Sequence, residues 1–71
     1  MAITGAALQT ALGDGSTDAK VTQEFGVTGT EQNWYVEGNL DAPGRAKLVT
    51  TTAADNAATQ AAAVLVALAA N

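Results

Sequence analysis

Two carboxylates are the nearest thing in this sequence to a catalytic pair. Glu24 and Glu37 fall in two segments of alternating polarity with the same polar-face parity, so on adjacent strands they could approach and divide acid and base roles. Nothing else supports such a site. The chain has no histidine and no cysteine, one serine at Ser16, and lysines only at Lys20 and Lys47, so the usual nucleophile and base pairings cannot be built. A chain of 71 residues is also too short to enclose the dry cleft that carboxylate catalysis needs. The two glutamates are expected to be solvated surface charges, with no catalytic residue and no enzymatic activity.

The segment Asp14-Gly-Ser16-Thr-Asp18 places oxygen ligands at alternate positions, as the start of a calcium loop does. It then departs from the EF-hand pattern. Ala19 stands where glycine makes the sharp turn, and Phe25 stands where the bidentate glutamate belongs. The expectation is a solvated loop, with no metal and no cofactor. Gly13-Asp-Gly15 is not a phosphate cradle either, because it follows a helix, lacks the third glycine and is flanked by acids. Seven acidic side chains against three basic ones leave a formal charge of −4, and phosphate backbones require clustered Lys and Arg. Nucleic acid is not an expected partner.

The elements that would position these residues read as α+β: a short N-terminal helix, a three-stranded antiparallel meander and a long Ala-rich C-terminal helix, in a single domain spanning 1–71. Thr4 is a candidate N-cap, with Ile3 and Leu8 spaced as a hydrophobic staple and Gly13 where a C′ glycine would stop a helix over 5–12. From 19 to 28 the apolar residues alternate, with Ala19, Val21, Phe25 and Val27 on one face, Gln23 interrupting it and Gly26 as a candidate bulge. Gly29 to Asn33 reads as the turn. A second strand over 34–40 turns Trp34, Val36 and Leu40 inward and Tyr35, Glu37 and Asn39 outward. Asp41-Ala-Pro-Gly44 suits a type II turn, and the β-branched run at Val49–Thr52 suits a third strand over 45–51.

Thr52-Ala-Ala-Asp55 has the spacing of a capping box, which predicts a helix over 53–70. One side of that helix carries Ala57, Ala61, Val64, Leu65 and Leu68, and the other carries Asp55, Asn56, Thr59 and Gln60. Beyond Gln60 the second side becomes Ala63, Val66, Ala67 and Ala70, so the C-terminal half is apolar all round. Of the 34 hydrophobic residues 17 are alanine, and a domain of this length buries only about 60% of its unfolded surface. The chain is expected to complete its core against another polypeptide. The candidate contact residues are Ala63, Val66, Ala67 and Ala70 on the helix, with Tyr35 facing outward from the sheet beside Arg45 or Lys47 as an anchor.

Low lysine, abundant Ala, Thr and Gly, and absent cysteine give the chain a composition that resembles small accessory virion proteins of tailed bacteriophages, the capsid decoration or cement proteins. The resemblance is one of composition over the whole chain and rests on no motif, so no functional residue is carried over. It implies symmetric, multicopy binding to a capsid or tail surface, without catalysis, in a virion or the cytoplasm of a bacterial host. The alternative function is a small acidic regulator of a basic protein partner, although the acids form no block. The start has no basic region followed by a long apolar run, so no secretory signal is expected, and the most apolar stretch, 61–70, is half the ~20 residues of a membrane span.

Overall fold

The computed structural model describes residues 2–15, 19–37 and 46–69. Its elements are helix α1 (Gly5–Gly15), strands β1 (Lys20–Thr28), β2 (Glu31–Glu37) and β3 (Ala46–Thr52), and helix α2 (Ala57–Ala69). The fold is α+β. The strands form one antiparallel sheet in the order β1-β2-β3, and both helices pack on the same side of it, α1 against β1 and α2 against β3 and α1. The opposite sheet face has no second layer among the described residues.

Helix α1 starts where its sequence dictates. Thr4 accepts the Ala7 N–H through Oγ1 at 3.0 Å, which satisfies one of the helix's orphan donors, while its carbonyl accepts the Leu8 N–H at 3.1 Å as the first bond of the helix ladder. Leu8 is fully buried, and Ile3 packs partly buried against the core that contains it. Removing the hydroxyl in Thr4→Ala is expected to cost about 1 kcal/mol, read as a lower urea midpoint with an unchanged slope. The expected stop at residue 12 is corrected: the helix continues through Gly13 to Gly15, because Gly13 carries no positive φ and so does not act as a left-handed cap.

The first hairpin is tighter than the sequence suggests. Only Gly29 and Thr30 form the turn, with Thr28 opposite Glu31. Gly29 has φ 64° and Thr30 is not in the positive-φ region, the signs of a type II′ turn, whose first central position favours glycine. Glu31, Gln32 and Asn33 are therefore strand residues. The expected strand over 34–40 is the segment Glu31–Glu37, with Leu40 outside the described residues.

Strand β1 holds the largest departure. Its register against β2 slips twice, between Val21 and Gln23 and again between Glu24 and Gly26. Each slip inserts one extra residue and reverses the facing of the residues beyond it. Val21 lies opposite buried Val36, but Gln23 lies opposite exposed Tyr35 and Glu24 opposite Trp34. Phe25 is the extra residue of the second bulge and is 51% exposed, and Val27, restored to the inner side opposite Gln32, is still 46% exposed. Neither joins the core, contrary to the alternation. Gly26, at φ 86°, supplies the backbone conformation the second bulge needs.

The core is Leu8, Leu12, Ala19, Trp34, Val36, Val49, Ala61, Val64 and Leu68, with Leu65 and Ala67 partly buried against it. Three glutamines hold the layers in register. Gln9 donates to the Ala19 carbonyl at 3.0 Å and accepts the Val21 N–H at 2.7 Å, so its amide satisfies backbone groups of β1. Gln32 does the same for Ile3, accepting its N–H at 3.2 Å and donating to its carbonyl at 2.7 Å. Gln60, expected on the wet side of its helix, is buried instead: its Oε1 accepts Thr51 Oγ1–H at 2.7 Å and its Nε2 donates to the Asp55 carbonyl at 3.1 Å.

Helix α2 begins later than the capping-box spacing suggests. Thr52 is held in the sheet opposite Glu31, and the pairing continues one step further, Ala53 N–H to Thr30 O at 2.7 Å. The chain turns at Ala53–Asp55, and Asn56 takes the cap, its Oδ1 accepting the Thr59 N–H at 2.9 Å.

Candidate functional site

The two carboxylates weighed for chemistry do not meet. Glu24 stands opposite Trp34 and Glu37 opposite Lys20, and the first slip of β1, between Val21 and Gln23, sends their side chains to opposite sheet faces. Glu24 instead lies over the start of α1, so close that a Cβ at Gly5 would collide with its carboxylate. Only glycine permits this approach, which sets a negative charge at the helix end whose N–H groups favour one. Beside it a groove of about 500 Å³ is lined by Gly5, Gln9, Thr22, Gln23 and Glu24 among others. It offers amide groups, one carboxylate and the Thr22 hydroxyl, which donates to the Tyr35 carbonyl at 2.9 Å, with no second carboxylate and no amine among the lining residues. Among the described residues no three His, Cys, Asp or Glu side chains gather as a metal would require. The loop over Ser16–Asp18 lies outside the described residues.

The surface that stands out is apolar. On the uncovered sheet face Phe25, Tyr35 and Leu48 come from the three adjacent strands, at 51%, 39% and 63% exposure. Tyr35 is directly opposite Leu48, and Phe25, Asn33 and Leu48 line a shallow hollow of about 270 Å³. The bulge in β1 delivers Phe25 to this face, and pure alternation could not have placed it there. Residue types alone assign Leu48 no facing: strict alternation about the polar Lys47 would turn Leu48 inward, whereas its place opposite Tyr35 turns it out.

The contact residues expected from sequence divide between two places. Tyr35 does face outward, but Lys47 is not beside it: Lys47 lies on the covered side, opposite Val36, and its Nζ donates to the Ala67 carbonyl at 2.9 Å, a cation at a helix C-terminus. On α2, Ala63 is exposed and Val66 is 70% exposed, whereas Ala67 is partly buried against the core. Arg45 and Ala70 lie outside the described residues. No described helix is long and apolar enough to cross a membrane. In comparison with known proteins, no family model, no curated sequence and no solved structure matches the chain.

Proposed function

We propose that this protein is a non-enzymatic structural subunit that covers its surplus apolar surface by packing against copies of itself or a larger scaffold. The observation that carries the reading is the uncovered sheet face, where Phe25, Tyr35 and Leu48 stand together and exposed. Scattered apolar residues are ordinary on a protein surface, but a contiguous group on an open sheet face is what interaction surfaces present. Burying one such side chain stabilises by about 1.5–3 kcal/mol. A domain this small has few other sources of stability. Composition adds the finer reading, an accessory subunit on the capsid or tail of a bacteriophage.

The test is the apparent mass of the purified chain over a micromolar to millimolar range, together with recovery of a bound scaffold from the native source. The reading expects a species heavier than 7.1 kDa in at least one of the two, and fails if neither appears. The exposed flank of α2 gives a further expectation. Val66→Asp should leave stability within ~0.5 kcal/mol, as for an exposed site, and return the assembly to the mass of the single chain. An assembly of unchanged mass and affinity carrying that substitution would remove α2 from the contact.

A further inference from the structure

We infer that two copies of this chain pair through the free edge of β3, antiparallel about a two-fold axis at Val49, forming one six-stranded sheet. The inference rests on the assembly reading above and adds the surface and the symmetry.

The two edges of the sheet are not alike. On β1 the ladder is broken by two bulges, and the Gln9 amide already occupies backbone groups at Ala19 and Val21; both features discourage the approach of another strand. Strand β3 runs seven residues in unbroken register with β2, without a bulge or proline, and no described strand lies beyond it.

The direction of its free groups is set by the ladder. Ala53 donates to Thr30, the residue opposite it, so in the antiparallel alternation residues 53, 51, 49 and 47 bond to β2. Ala46, Leu48, Thr50 and Thr52 must then point their backbone N–H and C=O groups away from the sheet. The Thr52 carbonyl agrees with this direction, since it accepts the Asp55 N–H at 3.0 Å in the turn after β3. A two-fold axis at Val49 sets Leu48 of one copy opposite Thr50 of the other and Ala46 opposite Thr52. With the Thr52 carbonyls already engaged, this register forms roughly six new backbone hydrogen bonds.

A second copy is the occupant that fits, for two reasons. The strand is complementary to itself, because all four outward positions find outward positions in the paired register. This flank is also lightly opposed by the chain's charge of −4: β3 and α2 themselves contain no acidic residue, Asp55 in the turn between them is the one described acid of that connection, and their one cation, Lys47, is turned under the sheet to Ala67. Glu24, Glu31 and Glu37 sit on β1 and β2. Helix α2 lies over β3, so pairing brings the two α2 helices side by side. Gln60, Ala63 and Ala67 form one stripe at i, i+3, i+7 on the side by which α2 holds β3, and its small exposed member, Ala63, permits an interhelical approach near 8 Å. The open faces then fuse, with Phe25, Tyr35 and Leu48 of both copies on one platform.

Amide hydrogen exchange on the full chain, followed by residue across a dilution series with mass measured in parallel, tests this. The expected result is a doubling of the 7.1 kDa mass accompanied by at least about tenfold slower exchange at Leu48, Thr50 and Thr52. Thr50→Pro, which removes an outward N–H at an edge where proline is tolerated, should abolish both changes. An oligomer in which the three wild-type amides keep their monomer rates overturns the edge pairing while leaving the assembly reading in place. A chain that stays monomeric throughout also overturns it, and the assembly reading then stands or falls on scaffold recovery. If Thr50→Pro does not fold, the wild-type exchange rates decide alone.

Discussion

Replacing Thr51 by valine is expected to destabilise the domain by about 2–3 kcal/mol, although valine has nearly the same shape and is the more apolar residue. Thr51 is buried on β3, where its Oγ1 accepts the Trp34 indole N–H at 2.9 Å and donates to Gln60 Oε1 at 2.7 Å. Valine removes both bonds at once and takes from a fully buried indole N–H its acceptor; a buried donor left unmatched costs ~1–3 kcal/mol. The whole domain is expected to be stable by about 4–11 kcal/mol, at 0.05–0.15 kcal/mol per residue, so the change is a large part of the total. Thr50→Val is the control. Its hydroxyl bonds Asn33 Oδ1 at 2.9 Å on the exposed face, where water can replace the partner, and its effect should stay within ~0.5 kcal/mol. Urea unfolding followed through Trp34, the only tryptophan, measures both. Equal effects at the two positions would mean that the buried network does not hold the core.

Phe25→Asp should separate folding from assembly. Phe25 is half exposed and sits at a bulge, so the substitution removes little buried contact within the chain and should change stability by less than ~1 kcal/mol. It places a charge on the apolar face beside Leu48. If that face docks on another polypeptide, an aromatic anchor worth about 2 kcal/mol or more is lost, and association should weaken at least ~30-fold. Unchanged affinity for the scaffold or for other copies would show that the open face is merely wet. Phe25 shares a hollow with Leu48 but lies on β1 and contributes no backbone group to the β3 edge, so a loss of affinity here reports on the open face while the Thr50 and Thr52 amides report on the edge.

Much of the fold was legible in the sequence because local chemistry and tertiary packing agree there. Thr4 is a good cap wherever it falls, Trp34 and Val36 alternate with Tyr35 and Glu37 without interruption, and the alanine-rich run at 57–69 has no competing preference. The departures arise where packing outweighs local preference. Thr52 and Asn56 are both good caps, and the sheet decided between them by keeping Thr52 paired with Glu31. Gln60 is polar, which by itself favours solvent, yet Thr51 and the Asp55 carbonyl make a partnered place for it inside. The candidate surface was only partly legible. Tyr35 and Val66 follow from periodicity, whereas Phe25 reaches the open face only because the first bulge reverses the strand ahead of it and it stands as the extra residue of the second, and no residue spacing records either slip. The free edge of β3 was invisible for a different reason: strand order and ladder phase are properties of the sheet, not of any one segment.

The most direct test of the central claim, that another polypeptide covers the apolar surface left open by one chain, is the native mass of the species carrying this protein when gently isolated from its source. The expected species is an assembly heavier than a single 7.1 kDa chain, built from copies of it or from copies on a larger scaffold. A folded species of 7.1 kDa, with Phe25, Leu48 and Val66 all open to solvent, would contradict it.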